Sequence, residues 1–169
     1  DGQDLMHLVI FWRDAIPSDW KGIRGAKDRR IAAQVPVRFG DPNAVFSISE
    51  QSVCVRGYGA LVVNNYLRSD SGSKFGNILL SGVSSIAPYG AEKFEWDPAS
   101  RTMRSVWVNT GVSLPNGIPC MSSATGLVYG IGKRGKYWTM EALDWNTGES
   151  VFYIPVGAGP WYNSAYAAI

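Results

Sequence analysis

Residues 143–152 read Leu-Asp-Trp-Asn-Thr-Gly-Glu-Ser-Val-Phe, and this stretch decides the fold of the chain. It contains the end of one strand, a tight turn that starts at an aspartate and contains a glycine, and a second strand with an aromatic residue. A looser copy occupies residues 96–107, and its Asp97 stands 47 residues before Asp144. A strand–turn–strand unit that recurs at a fixed spacing predicts a repeat architecture.

Two further pairs of landmarks support the repeat. Asn116 and Asn163, which each begin an apolar run after a turn, are also 47 residues apart. Cys54 and Cys120 each stand seven residues before an apolar run, but their offset is 66. We assign the surplus to residues 67–89, a stretch rich in serine and glycine, which we interpret as an inserted loop.

A period of about 40–50 residues with four short strands is typical of a β-propeller blade. We therefore predict an all-β chain of four-stranded antiparallel blades that forms a partial ring, with about two full blades and two partial ones. The predicted units are a partial blade at 1–48, a blade at 49–112 with the insertion 67–89, a blade at 113–159, and the start of another at 160–169. The predicted strands are 5–13 and 30–38; 49–55, 60–66, 92–97 and 104–109; and 117–122, 127–131, 137–144 and 150–156. Helix is expected only in the insertion, near residues 81–86, and missing blades or self-association would complete the ring.

The sequence 141–148, Glu-Ala-Leu-Asp-Trp-Asn-Thr-Gly, followed by a strand with Phe152, resembles the alanine–leucine–aspartate–x–x–threonine–glycine … tryptophan repeat of pyrroloquinoline-quinone-type propellers. The resemblance implies a quinoprotein-like β-propeller. In such a unit Asp144 accepts backbone N–H bonds, Gly148 supplies a positive φ, and an aromatic residue fills the space between blades. The aromatic residues expected between or within the sheets are Trp96, Trp107, Trp138 and Phe152.

Composition limits the possible functions. The chain has 169 residues, of which 46% are hydrophobic and 18% charged, as in ordinary folded proteins. A net charge of +2 with scattered basic residues argues against nucleic acid and anionic membrane as partners. No apolar run is long enough to span a membrane. We expect a soluble chain, periplasmic or secreted if a signal peptide has been removed.

The cysteines and the single histidine argue against a metal site. One histidine and two cysteines do not supply the ligand sets of common zinc sites, so no metal ligand is assigned. Cys54 and Cys120 occupy equivalent strands of adjacent blades. Sheets pack about 10 Å apart, whereas a disulfide needs Cα atoms within about 7 Å. We predict two free, largely buried thiols.

The first group of candidate ligand-binding residues lies near the predicted channel. The innermost strand of each blade lines that channel, so Glu50, Asn116 and Asn163 are expected to meet at its mouth, where they could bind an ion, water or a sugar hydroxyl. The alternative is that the asparagines only shape turns. Asn64 and Asn65 precede the insertion, where a loop could carry function, or they begin an ordinary solvated loop.

A second group lies in the long connection at residues 16–30. Trp20, Arg29 and Arg30 could bind a carbohydrate or an anion by ring stacking and bidentate guanidinium hydrogen bonds. The alternative is a surface loop closed by salt bridges.

The leading functional hypothesis is a binding or interaction scaffold that uses the channel mouth and the inserted loops. The alternative is a quinoprotein-type oxidoreductase, for which the resemblance implies calcium and the quinone near the channel axis. A carbohydrate-active hydrolase is a third hypothesis, because Glu92, Glu95 and Asp97 offer carboxylates. Glu95 and Asp97 alternate with aromatic residues, however, which is typical of a half-buried strand. The sequence names no ligand or substrate and assigns no catalytic residue.

Overall fold

The computed structural model describes residues 4–47, 49, 51–63, 90–115 and 117–162. Ten strands lie in these ranges: β1 His7–Phe11, β2 Ile31–Pro36, β3 Cys54–Arg56, β4 Gly59–Val63, β5 Ala91–Asp97, β6 Thr102–Asn109, β7 Cys120–Ser122, β8 Leu127–Arg134, β9 Tyr137–Asp144 and β10 Ser150–Ala158. Within the same ranges, helix is limited to a 3-10 turn at Pro160–Tyr162. The predicted all-β class is confirmed, whereas the insertion and its expected helix at 81–86 lie outside the described residues.

The strands form three antiparallel sheets in chain order. The first sheet pairs β1 with β2, the second has the order β3-β4-β5-β6, and the third has the order β7-β8-β9-β10. Each four-stranded sheet is a meander in which every strand pairs with the next along the chain. The predicted strands of these two sheets lie within three residues of the observed ones, except that β3 begins at Cys54 rather than at residue 49; the predicted end of β4, at 64–66, lies outside the described residues.

The end of β8 corrects one prediction. The predicted strand ended at residue 131, but β8 continues to Arg134, so Gly132 and Lys133 lie in the strand with Gly130. The glycines fit there because neighbouring groups leave no room for a side chain. A Cβ on Gly130 would lie 2.9 Å from the Leu114 side chain, and one on Gly132 would lie 2.6 Å from a backbone oxygen of the same loop.

The aspartate-started turns form as predicted. The Asp144 carboxylate accepts hydrogen bonds from the backbone N–H groups of Asn146 and Thr147 at 2.7 and 2.8 Å. Gly148 has a φ of 75°, a conformation that favours glycine. In the looser copy, Asp97 accepts from the backbone N–H of Ala99 at 2.9 Å. These hydrogen bonds join residues of the same hairpin, two or three positions apart.

Two apolar clusters lie between successive sheets. One joins Val37 and Phe39, from the loop after β2, to Val62 and Phe94 of the second sheet. The other joins the second sheet to the third. Its buried members are Leu61, Val63, Ala91, Val112, Leu114, Val128, Leu143 and Trp145. The three sheets are therefore stacked face to face in chain order.

A buried carboxylate fastens the first sheet to the second. Glu92 of β5 is 5% exposed, and its Oε2 accepts hydrogen bonds from the backbone N–H groups of Phe39 at 2.7 Å and Arg38 at 3.1 Å. The hydrolase hypothesis grouped Glu92 with Glu95 and Asp97, but adjacent positions on a strand alternate between faces, so Glu92 lies on the face opposite these two carboxylates.

The expectations for the cysteines and aromatics are met in part. Cys54 and Cys120 are free, but each is only half-buried. Trp138 is fully buried, and Trp107 packs against the cluster between the second and third sheets. Phe152 does not fill a space between sheets: it is 41% exposed, because no sheet covers its face in the part of the chain that the structure describes. In that same part of the chain, no helix has the length and apolarity to cross a membrane.

Candidate functional site

Three of the eight predicted ligand-binding residues can be placed. Trp20, Arg29 and Arg30 lie in the connection between β1 and β2. The other five lie outside the described residues: Glu50, Asn64, Asn65, Asn116 and Asn163. The predicted channel mouth and insertion therefore stay predictions.

Trp20 anchors its loop. Its ring packs edge-on against Trp12 with centroids 5.8 Å apart, and Trp12 packs in the same way against Trp96 of the second sheet at 5.9 Å. The Arg101 guanidinium lies 5.9 Å from the Trp20 ring and forms a 2.9 Å salt bridge with Asp19. The half-buried Trp20 thus fastens the loop to the β5–β6 turn rather than standing free in solvent.

The arginines of the loop bond mainly within it. Arg30 forms a bidentate ion pair with Asp28, with a closest distance of 2.7 Å, and these hydrogen bonds lower the pKa of Asp28. Arg29 donates to the backbone oxygen of Trp20 at 3.0 Å. An anionic ligand at Arg30 would have to displace the carboxylate, so the local geometry matches the salt-bridged loop that was the alternative interpretation.

A second candidate site is the sheet surface that we call the forward face, meaning the face of each sheet turned toward the next sheet along the chain. In the second sheet it carries Leu61, Val63 and Ala91, which are at most 1% exposed because the third sheet covers them. In the third sheet Val128 and Leu143 point back into that cluster, so the alternate positions of β8 and β9 form its forward face. The apolar members of the third sheet's forward face are Leu127, Tyr129, Ile131, Trp138, Met140, Ala142, Phe152 and Ile154.

The forward face of the third sheet is open to solvent along β10. Phe152 is 41% exposed and Ile154 is 51% exposed. The Phe152 ring contacts Tyr129 of the same face, with centroids 6.4 Å apart. Beyond β10, Trp161 is 82% exposed. A contiguous apolar surface that includes aromatic side chains is typical of an interaction site.

One end of this face carries a buried cation. Lys133 and Trp138 are direct partners in the register of β8 and β9, and the Lys133 Nζ lies 4.8 Å from the indole centroid. Lys133 is 4% exposed and Trp138 is fully buried. Burial lowers the pKa of Lys133. The indole N–H of Trp138 is buried and has no hydrogen-bond acceptor among the residues that the structure describes.

Sequence reasoning missed this pair. The signal was the alternation of Leu127, Tyr129 and Ile131, which puts Lys133 on the same face when the strand is continued. Ending the strand at residue 131 placed Lys133 in a turn and concealed its position.

Comparison with known proteins identifies a relative without naming a function. A protein of Archaeoglobus fulgidus described as an uncharacterized protein is 53% identical over 175 residues, which cover 99% of this chain and 34% of the relative. The chain thus spans about a third of the length of that relative. No protein-family model matches the chain. No solved structure matches it.

Proposed function

We propose that this chain is a non-catalytic interaction scaffold of β-propeller type, whose third sheet binds a further β-sheet through its forward face. One observation carries the proposal. The forward face of the second sheet is buried under the third sheet, whereas the forward face of the third sheet repeats that construction, is buried at Trp138 and is exposed along the edge strand β10, at Phe152 and Ile154.

The repeat supports equivalence of the two faces. At an offset of 66 residues, Leu61 corresponds to Leu127 and Val63 to Tyr129, and all four lie on forward faces. Leu127 and Tyr129 are half-buried, whereas Leu61 and Val63 are fully buried, which indicates that the two positions of the third sheet also have a partner. The apolar area would otherwise remain in water at a cost of about 25 cal/mol per Å².

The arrangement of strands favours a propeller over a linear stack of sheets. Corresponding strands of successive sheets approach each other: β3 lies near β7 at one edge of the stack, and β2 lies near β6 at the other. In a propeller the first strands gather at the axis and the last strands at the rim, with each blade a four-stranded meander. On this proposal, β1 and β2 are the outer half of a preceding blade.

Ligand binding at the channel mouth belongs to the same proposal. Glu50, Asn116 and Asn163 would line the mouth, and Asn64 and Asn65 would lead into the inserted loop over one end of the ring. The quinoprotein alternative predicts a bound quinone and calcium, which absorbance and metal analysis of the purified full gene product would detect.

Sedimentation equilibrium tests the scaffold proposal. Residues 1–169 alone should self-associate in a concentration-dependent manner through the uncovered face, and Ile154→Glu should weaken that association. Val55→Glu is the matched control, because Val55 is 65% exposed but lies on the second sheet's other face. A monomer at every concentration, with the same melting temperature as the full gene product, would contradict the proposal.

A further inference from the structure

The stack of sheets has two end faces, and both expose large apolar side chains. One end is the forward face of the third sheet, where Phe152 is 41% exposed and Ile154 is 51% exposed along β10. The other end is the face of the first sheet that is turned away from the second sheet, which we call the rear face. Phe11 lies on the rear face and is 52% exposed. Exposed apolar surface at both ends indicates two interaction surfaces.

The register of β1 and β2 defines the rear face. Leu8 and Val35 are direct partners, and both pack into the cluster shared with the second sheet, so the adjacent positions point the other way. The rear face therefore consists of three cross-strand pairs, which are His7 with Pro36, Val9 with Gln34, and Phe11 with Ile31. All six side chains are exposed or half-buried. None of them is a carboxylate, a lysine or an arginine, so the rear face suits an apolar partner.

The open part of the forward face matches the rear face in chemistry and in extent. It lies along β10, whose residues Ser150–Ala158 include no charged side chain. Trp138 and Ala142 of β9 are already buried, so the exposed strip is confined to the outer side of the third sheet. The first sheet has only two strands, and its β2 lies near β6, the outer strand of the second sheet. A two-stranded sheet therefore has the width needed to cover the outer side of a four-stranded one.

We propose that the forward face of the third sheet binds the rear face of the first sheet in a second copy of this chain. This inference rests on the proposed function, which requires the forward face to bind a further sheet, and it names that sheet. In the contact, β10 of one copy would lie against β2 of the other, in the way that β6 lies near β2 within one chain. Phe152 and Ile154 would then leave water together with Phe11 of the other copy.

A second copy fits because every chain carries both surfaces. Packing two forward faces together would leave both rear faces in water, whereas packing a forward face on a rear face can cover all four. A contact between unlike surfaces of identical chains is heterologous, and it forms a closed ring when its rotation allows. Two copies would bring together three sheets each, which lies within the range of about four to eight blades in propellers. We therefore expect a dimer with two equal contacts.

Sedimentation equilibrium of residues 1–169 tests the contact with one variant on each surface. Phe11→Glu and Ile154→Glu should each weaken dimerisation by at least about tenfold, because each would bury an unpaired carboxylate in the contact. Val55→Glu is the matched control, because Val55 is exposed but belongs to the second sheet and lies on neither end face. Its dissociation constant should equal that of the unmodified chain. Circular dichroism at concentrations where the chain is monomeric, and both end faces are free, checks that each variant is folded.

A mixture of the two variants identifies which faces pair. The Phe11→Glu chain keeps an intact third sheet, and the Ile154→Glu chain keeps an intact first sheet. The equimolar mixture can therefore form one unaltered contact, and it should associate more tightly than either variant alone. If the copies associated third sheet to third sheet, no unaltered contact would be available, so a mixture that associates no more tightly than the separate variants overturns the inference.

The single variants separate failure of this inference from failure of the proposed function. If Ile154→Glu weakens association but Phe11→Glu does not, the forward face binds a sheet other than the first sheet of a second copy, and only this inference fails. If Ile154→Glu has no effect, the forward face takes no part in association and both proposals fail.

Discussion

Replacing Glu92 should loosen the first sheet from the second. Glu92→Leu removes the oxygen that accepts from the Phe39 and Arg38 N–H groups at 2.7 and 3.1 Å. A buried N–H left without a partner costs about 1–3 kcal/mol. Since the Arg38 N–H is only partly buried, we expect a total loss of about 2–4 kcal/mol in the free energy of unfolding. Glu92→Gln keeps one acceptor oxygen but loses the charge, so its loss should be about 1–2 kcal/mol.

Urea unfolding, followed by circular dichroism and tryptophan fluorescence, measures these losses. Glu149→Gln is the control, because Glu149 is exposed in the connection between β9 and β10, and it should change the free energy of unfolding by less than about 0.5 kcal/mol. A loss below about 1 kcal/mol for Glu92→Leu would refute the reasoning, since it would mean that the two N–H groups do not depend on this carboxylate.

Three further predictions concern the turns and the thiols. Gly148→Ala should destabilise the chain by at least about 1 kcal/mol more than Gly126→Ala, because both glycines have positive φ but only Gly148 abuts the Trp107 ring; equal losses in urea unfolding would contradict this. The backbone N–H groups of Thr147 and Asn146 lower the pKa of Asp144, so the stabilisation that this carboxylate provides is present at neutral pH and is lost as the pH falls below about 4. In acid titrations, Asp144→Asn should therefore reduce the drop in unfolding free energy at low pH, and an unchanged acid profile would contradict this prediction. Thiol titration in denaturant without reductant should find two free thiols per chain, and a count of zero would contradict this. Because burial raises the pKa of Cys54, this thiol should be alkylated slowly in the folded protein.

The local parts of the fold could be predicted from the sequence. The Asp144 and Asp97 turns depend on hydrogen bonds that span two or three residues, so the sequence contains all the partners. The repeat then placed eight strands in two four-stranded units. The propeller itself stays a proposal, because closure of a ring depends on contacts beyond these sheets.

The roles of individual side chains could not be predicted in the same way. Trp20 was predicted as a ligand-binding residue, but its surroundings come from Trp12 and from Arg101, which is distant in sequence. Glu92 looked like one of several strand carboxylates, yet its partners lie more than 50 residues earlier. In both cases the decisive contact joins two sheets, and no local sequence pattern indicates which residues of different sheets will contact each other.

The exposure of the third sheet's forward face in the full gene product tests the central claim most directly. Hydroxyl-radical footprinting of residues 1–169 and of the full gene product compares the same side chains, Met140, Phe152 and Ile154, with and without any covering sheet. The account predicts strong labelling at all three in residues 1–169 and marked protection in the full gene product. Equal labelling in the two proteins would contradict it, because the face would then be free of any further sheet.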